Sequence, residues 1–238
     1  MLNRVILYIV RWGQFLINKA LEKIGLKLIR LKSFNEILFT VSEYRNRIRV
    51  DKIICQIQNR VEFETYPKMH SQLGQEIFVL ETLKYKKNGF FVEFGAAGGK
   101  NLSNTFTLEK EFDWRGICVE PGQNWRSELI DNRKCFLDFR CVYKISGQQI
   151  NFSETLFPEL STIEQYKYAD LHSEYRKGGK VYSVETISLN DLLLEYNAPQ
   201  LIDYISIDTE GSEYEILSNF NFDKYNVVIF TIVLFFSV

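Results

Sequence analysis

From residue 90 onward, short and predominantly apolar runs alternate with polar segments of helical length. Three of the runs, residues 90–94, 116–120 and 201–207, have strand length, and each ends at or directly before a glycine or an acidic residue. Runs with so little polar alternation are typical of strands that are buried on both faces. Because the segments between them are long enough for crossover connections, the pattern predicts an α/β fold with a mostly parallel sheet and helices on both faces.

The same pattern predicts the remaining elements of this fold. Helices are predicted over 101–111, 125–131, 189–196 and 212–220, and further strands over 135–145, 149–152, 181–187 and 226–234. The strand at 149–152 is expected to pair with 135–145 across the turn at 146–148. Residues 154–180 carry mixed charges and two adjacent glycines, which indicates an exposed insertion.

The first 32 residues differ from the rest of the chain in charge. The segment contains seven Lys or Arg residues and one acid, Glu22, which gives it a net charge of about +6. Its longest apolar run, residues 5–10, is too short for a membrane-spanning helix, which needs about 20 residues, or for a signal peptide. The apolar residues that follow have nearly helical spacing, which predicts a basic amphipathic helix or helix pair. Such a segment either packs against the domain or lies on an anionic membrane surface.

The sequence therefore divides into a basic helical N-terminal extension, residues 1–69, and an α/β domain, residues 70–238. The chain of 238 residues has 46% hydrophobic and 25% charged residues, which are ordinary values for a globular protein. Its net charge of −1 predicts no nucleic-acid partner. The four cysteines form no CxxC pair, and we expect buried, reduced thiols in a cytoplasmic protein.

Candidate chemistry lies where the predicted strands end, because ligands of parallel α/β sheets bind at the carboxyl edge. Residues 95–99 are small and let the backbone approach a ligand closely. Glu120 ends the next strand, 25 residues after Gly95, where a carboxylate can accept hydrogen bonds from a ribose diol. Together they predict a nucleoside-containing cofactor. The glycine spacing departs from the dinucleotide fingerprint, which favours S-adenosylmethionine over NAD and disfavours a nicotinamide-dependent oxidoreductase.

A third strand end carries acids. Asp208 and Glu210 are close enough in sequence to serve one site, as a base for a hydroxyl or as ligands of a divalent ion. The alternative is a helix N-terminus that carries acids for dipole reasons, and Glu213 fits that alternative. His172, within the predicted insertion, is a further candidate for a substrate-side base, and its alternative is an exposed loop histidine.

The sequence at this point resembles the FkbM family of methyltransferases. The matching stretches are SQLGQEIFVL (71–80), GFFVEFGAAGGKNLSNTFTLEKEFDWRGICVEP (89–121), SVETISLNDLL (183–193) and IDYISIDTEGSEYEIL (202–217). The resemblance covers roughly residues 70–232. It implies a Rossmann-like class I methyltransferase fold, a methyl group donated by adenosylmethionine, and O-methylation of a sugar or related small hydroxyl substrate.

The resemblance also implies roles for individual residues. The residues carried over as cofactor contacts are Glu93, Gly95, Ala96, Gly98, Ser103, Asn104, Glu120 and Pro121, with Thr105 next to them. Asp208, Glu210 and Glu213 match the acidic motif of the family, and Asp208 and Glu210 are the candidate catalytic residues together with His172. Many relatives have Asp at the position of Gly98, so a polar contact to the cofactor is expected to be lost there.

The end of the sequence departs further from the family pattern. After Thr231 and Ile232 we expect an acid followed by His-Asn, whereas residues 233–238 read VLFFSV. This predicts that the C-terminal strands are missing, that a sheet edge is exposed and that activity is reduced. The alternative function is that of a catalytically degraded relative which serves as a binding or membrane-trafficking module. A basic N-terminus would in either case allow peripheral membrane contact.

Overall fold

The computed structural model of the chain describes residues 6–10, 69–72, 74–168 and 176–233. The strands are β1 (Ile6–Val10), β2 (Phe90–Phe94), β3 (Arg115–Val119), β4 (Phe136–Asp138), β5 (Cys141–Tyr143), β6 (Gln149–Glu154), β7 (Thr162–Ile163), β8 (Lys180–Ser188), β9 (Leu201–Ile207) and β10 (Asn226–Val233). The helices are α1 (Gln75–Thr82), α2 (Phe106–Phe112), α3 (Arg126–Asn132), α4 (Leu189–Glu195) and α5 (Glu213–Ser218). No helix in these ranges is both long and apolar enough to cross a membrane.

The main sheet confirms the predicted α/β fold. Within the described residues it contains six parallel strands in the order β1-β10-β9-β2-β3-β4. Alternate residues of the central strands enter two separate hydrophobic clusters, so that Val92 belongs to one and Phe91 to the other. Helices α4 and α5 contribute Leu192 and Ile216 to the first cluster, and α3 contributes Leu129 to the second. The central strands are predominantly apolar because helices cover both of their faces.

A smaller sheet, in the order β5-β8-β6-β7, corrects two of the predictions. The strand predicted over 135–145 is split, because β4 joins the main sheet whereas β5 pairs in parallel with β8. The chain turns between them where the side chain of Asp138 accepts a hydrogen bond from the backbone N–H of Arg140, at 2.8 Å. The predicted pairing of 149–152 with 135–145 is also wrong, since β6 pairs antiparallel with β7 and β8.

The segment predicted as an exposed insertion, residues 154–180, is partly buried. Thr162 and Ile163 form β7 and lie under the surface, and the side chain of Arg176 is fully buried. Within the described part of the segment, Leu156, Phe157 and Tyr168 expose large apolar side chains. The prediction failed because the charge of Arg176 is compensated by a partner far away in the sequence, which a local pattern does not reveal.

The described part of the N-terminal extension is a strand, so the helix predicted there is wrong for residues 6–10. These residues pair in parallel with β10, from Ile6 opposite Ile229 to Val10 opposite Val233. Their β-branched and aromatic side chains favour a strand, and the edge of β10 offers unpaired backbone groups. The edge of β10 that we expected to be exposed is therefore covered. Residues 1–5, 11–68 and 234–238 lie outside the described residues, and the domain boundary at residue 70 stays a prediction.

Candidate functional site

A cavity of about 310 Å³ lies at the carboxyl edge of the main sheet. Its volume is at the lower end of the range that is usual for small-molecule sites. The ends of β2, β3 and β9 contribute one group of lining residues, and the segment 158–163 contributes another. The polar and small lining residues include Gln72, Gln75, Gly95, Ala97, Asn104, Glu120, Pro121, Ser161, Asp208, Thr209 and Glu210. Three strand ends that the sequence singled out are thus brought together.

Glu93 organises the loop behind this cavity. Its buried carboxylate accepts hydrogen bonds from the backbone N–H of Asn104 at 2.6 Å, from Thr105 Oγ1 at 2.6 Å and from Ser103 Oγ at 3.0 Å. Arg133 Nη1 also donates to it, at 3.2 Å. Because these donors fix residues 103–105, helix α2 begins at residue 106, later than predicted. Glu93 and Ser103 therefore shape the loop that presents Asn104 to the cavity.

Arg133 is a site residue that the sequence analysis missed. Its guanidinium is fully buried and also donates to Glu109 of α2 at 2.6 Å and to the carbonyl of Gly99 at 3.2 Å. It thereby ties α2, α3 and the glycine loop to Glu93. A single basic residue near the end of a helix is common on protein surfaces, so its sequence position gave no indication of this role.

The small residues after β2 have different reasons for being small. Gly95 has a left-handed backbone (φ +71°), and a Cβ atom there would lie 2.0 Å from the carbonyl oxygen of Asp208. At Gly98 a Cβ would instead meet the carboxyl group of Glu128, on α3. Ala96 packs in the hydrophobic core. Gly95 is thus required for the contact between two strand-end loops, and an Asp at position 98 would face the Glu128 carboxylate.

Glu120, which the sequence predicts as a contact to the ribose of a cofactor, lines the cavity. Its Oε2 accepts a hydrogen bond from the backbone N–H of Ala97 at 2.9 Å, and its Oε1 accepts one from Gly122 at 2.7 Å. Burial raises the pKa of this carboxyl to about 7, against the lowering effect of the two hydrogen bonds. Since a carboxylate oxygen can accept more than one hydrogen bond, each oxygen retains capacity for a ligand hydroxyl.

Asp208 and Asn104 bring unsatisfied acceptors to the same cavity. Oδ1 of Asp208 and Oδ1 of Asn104 are buried and have no hydrogen-bond partner among the described residues. The amide of Asn104 is oriented by its donation to Ser206 Oγ at 2.8 Å. Burial, followed by the negative charges of Glu213, Glu93 and Glu120, raises the pKa of Asp208 to about 7. Buried acceptors are normally paired, so this pair indicates a ligand with hydrogen-bond donors.

Glu210 lines the cavity, and its carboxylate forms an ion pair with Arg176. Arg176 Nη2 donates to its Oε2 at 2.5 Å, and Arg176 Nε donates to the carbonyl of Leu160 at 2.8 Å. The backbone carbonyl of Glu210 accepts a hydrogen bond from Thr162 Oγ1 at 2.8 Å. Glu210 is therefore tied to the segment that lines the opposite part of the cavity. His172 lies outside the described residues.

Glu213 is buried at the start of α5 and does not simply decorate the helix surface. Its Oε1 accepts hydrogen bonds from the backbone N–H of Thr209 at 3.2 Å and of Gly211 at 2.9 Å. The hydroxyl of Thr209 also donates to it, at 3.1 Å. Burial raises the pKa of Glu213. This carboxylate shapes the loop that follows Asp208, and its charge acts on Asp208.

Gln72 and Gln75 line the cavity although the sequence analysis assigned them no role. Gln75 begins α1, and Glu76, the next residue of this helix, accepts hydrogen bonds from the backbone N–H and the hydroxyl of Ser71. The pattern SQLGQE was visible as one of the resembling stretches, yet no local feature distinguished its amides from ordinary loop residues. Their amide groups add donors and acceptors to one side of the cavity.

Comparison with known proteins gives one match. The model of the family described as "Methyltransferase FkbM domain" matches residues 93–236. No curated protein and no solved structure matches the chain. The matched range contains the glycine loop, Glu120 and the acidic residues 208–213 that meet in the cavity.

Proposed function

The chain belongs to the FkbM methyltransferase family, and we propose that it is an adenosylmethionine-dependent O-methyltransferase acting on a sugar or related small hydroxyl compound. The observation that carries this proposal is the buried carboxylate of Asp208, whose Oδ1 has no partner in the described parts of the chain. It lines the same cavity as Glu120 and the glycine loop. The site for the methyl donor and the carboxylate that accepts the proton would then lie in the same cavity.

The residues that line the cavity fit adenosylmethionine. The free acceptor capacity of Glu120 suits a ribose diol, and Gly95, Ala97 and Pro121 leave room beside it. When bound, adenosylmethionine supplies a methyl group activated by a positively charged sulfur. Burial raises the pKa values of Glu120 and Asp208, and the negative charges of neighbouring acids raise them further. The same crowding of carboxylates stabilises a cation placed among them.

Asp208 is the residue that we propose as the general base. Its carboxylate would accept the proton of the acceptor hydroxyl, and a pKa raised to about 7 makes it a stronger base than an ordinary aspartate. Glu210, the second predicted catalytic acid, is paired with Arg176 and is better suited to support the cavity wall. His172 remains the alternative base if Asp208 proves dispensable.

The proposed acceptor is a compact neutral hydroxyl compound, and nucleic acid is not a proposed partner. The net charge of −1 gives no electrostatic basis for binding a polyanion.

The seven basic residues among the first 32 would allow contact with an anionic membrane surface. Each would contribute about 1 kcal/mol at most near such a surface.

The experiment for this proposal combines donor binding with a search for the acceptor. The purified chain is incubated with adenosylmethionine and a panel of neutral monosaccharides and small alcohols, and mass spectrometry follows adenosylhomocysteine and methylated product. We expect product from at least one member, in proportion to the adenosylhomocysteine released. Tight donor binding with no transfer across a broad panel would instead favour the binding-module alternative.

A further inference from the structure

We propose that residues 158–163 form the wall of the cavity that contacts the methyl acceptor, and that Arg176 positions this wall by bridging the carbonyl of Leu160 to the carboxylate of Glu210. We call residues 158–163 the acceptor wall. The proposal rests on the function proposed above and adds to it the part of the chain that recognises the acceptor. It makes Arg176 and Glu210 positioning residues, and it leaves proton transfer to Asp208.

The acceptor wall is attached to the loop that carries the proposed base. Arg176 links Leu160 to Glu210 through donated hydrogen bonds of 2.8 and 2.5 Å. Thr162 Oγ1 makes a second connection by donating to the carbonyl of Glu210. Since Glu210 is two residues from Asp208, a molecule whose hydroxyl approaches Asp208 is brought against this wall.

The backbone of Glu210 gives independent support for a positioning role. Its φ of 58° is left-handed, a conformation that a residue with a Cβ atom adopts at a cost. Two interactions stabilise this conformation: Arg176 forms an ion pair with the side chain of Glu210, and Thr162 donates a hydrogen bond to its backbone carbonyl. Both charged groups of the pair are almost completely buried, so each depends on the other.

The chemistry of the wall suits the ring of a sugar or a similar alcohol. Pro158, Leu160 and Ile163 supply an apolar surface within the cavity. Ser161 Oγ accepts a hydrogen bond from the backbone N–H of Thr155 at 3.1 Å, which leaves its O–H to donate to a ligand. Glu159 also lines the cavity and adds a carboxylate acceptor. An apolar face with a hydroxyl donor and a carboxylate acceptor is complementary to the face of a sugar ring and to its hydroxyl groups.

Cys141 provides a local probe of this wall. It lines the cavity and packs in the same cluster as Ile163, while Cys118 is buried in a different cluster across the main sheet. Burial raises the pKa of Cys141 to about 12, so thiol reagents should modify it slowly while the wall is in place. Displacement of the wall should expose Cys141 and leave Cys118 protected.

The experiment is alkylation of the full-length chain by iodoacetamide, with the rate at each cysteine resolved by peptide mass spectrometry. Arg176→Met should raise the rate at Cys141 by about tenfold or more, as expected for a local opening, while Cys118 keeps the parental rate. Arg176→Lys, which keeps the charge but cannot make both bonds, should give an intermediate rate. Lys86→Met removes an ion pair with Asp203, distant from the cavity, and should change neither rate.

The double variant Arg176→Met/Glu210→Gln guards against a simple folding defect, because it removes both charges of this buried ion pair together. It should also show faster alkylation at Cys141 alone. An unchanged rate at Cys141 in this variant, or a parallel rise at Cys118, would overturn the proposal.

Calorimetry of the double variant with adenosylhomocysteine should give a Kd within about threefold of the parent, since the donor site lies at the ends of β2 and β3. Failure of the parent to bind adenosylhomocysteine would refute the proposed function. The alkylation rates would still show whether Arg176 positions the acceptor wall.

Discussion

Gly95 and Asp208 contact one another through their backbones, so that a Cβ atom at position 95 would lie 2.0 Å from the carbonyl oxygen of Asp208. The backbone N–H of Asp208 also donates to the carbonyl of Phe94, at 3.3 Å. The loop that we assign to the methyl donor and the loop that we assign to the base are therefore fixed relative to one another. Reaction geometry depends on such positioning, because small displacements of reacting groups cost large factors in rate.

Gly95→Ala should damage this contact. We expect a loss of about 1–3 kcal/mol in the free energy of unfolding from overpacking, and weaker binding of adenosylhomocysteine. Gly147→Ala is the matched control, because Gly147 has a similar φ of +76° but no described atom within 4 Å of the added Cβ. Urea denaturation of both variants measures the difference. Equal destabilisation would mean that backbone strain, and not the contact with Asp208, decides the effect.

Asp208→Asn should lower the rate of methyl transfer by about 10²-fold or more, the range for a positioned general base. The parental rate should rise with pH through about 7, because Asp208 must lose its proton before it can accept another. Rates measured from pH 5.5 to 9, about the window on both sides of that value, test both statements.

Glu213→Gln is the control for the base assignment. Among the neighbouring charges, Glu213 contributes most to the raised pKa of Asp208, so its neutralisation should move the midpoint of the pH profile downward. The maximal rate should change far less than in Asp208→Asn. A normal rate and profile in Asp208→Asn would place the proton acceptor elsewhere, with His172 as the next residue to test.

The stability of the ligand-free chain should fall as pH rises from about 4 to about 7. Burial raises the pKa values of Glu120 and Asp208 to about 7, so between their ordinary values and 7 the folded state binds more protons than the unfolded state. Their neutral forms stabilise the fold at the acid end of this window, and that contribution is lost as the groups ionise. Thermal unfolding across this range should show a smaller decline in Tm for Asp208→Asn than for the parent. An identical decline in both would contradict the raised pKa.

Deleting residues 2–10 should expose the edge of β10. We expect an increase in aggregation, because an uncovered strand edge can pair with a second chain. Deleting residues 2–4 alone removes a basic residue but leaves the strand, and it should have little effect. Light scattering at matched concentrations compares the two deletions. Similar behaviour of both would show that β1 does not protect the sheet.

The central part of the fold could be predicted because its pattern is local. Leu201–Ile207 was predicted with the observed bounds, since a short apolar run between polar segments specifies a buried strand. The split between β4 and β5 could not be predicted from hydropathy, because it depends on the turn made by Asp138 and Arg140. The N-terminal run, residues 6–10, could not be predicted as a strand from its local pattern, because its partner β10 lies more than 200 residues away in the sequence.

The site was predictable where chemistry follows a strand end and unpredictable where residues act through distant partners. Glu120, Asp208 and Gly95 were identified from their positions at strand ends and Asn104 from the family resemblance, and all four line the cavity. The ion pair that distinguishes Glu210 from Asp208 could not be predicted, because its partner Arg176 is 34 residues away from Glu210 in the sequence.

The most direct test of the account is calorimetric titration of adenosylhomocysteine into the parent chain and into Glu120→Ala. We expect one binding site in the parent and a loss of about 1.5–3 kcal/mol in the variant, the scale of a hydrogen bond to a charged group. This corresponds to about a 10- to 150-fold weaker Kd. Thermal unfolding of both proteins should verify that Glu120→Ala is folded. No binding to the parent, or equal affinity in parent and variant, would contradict the assignment of this cavity to the methyl donor.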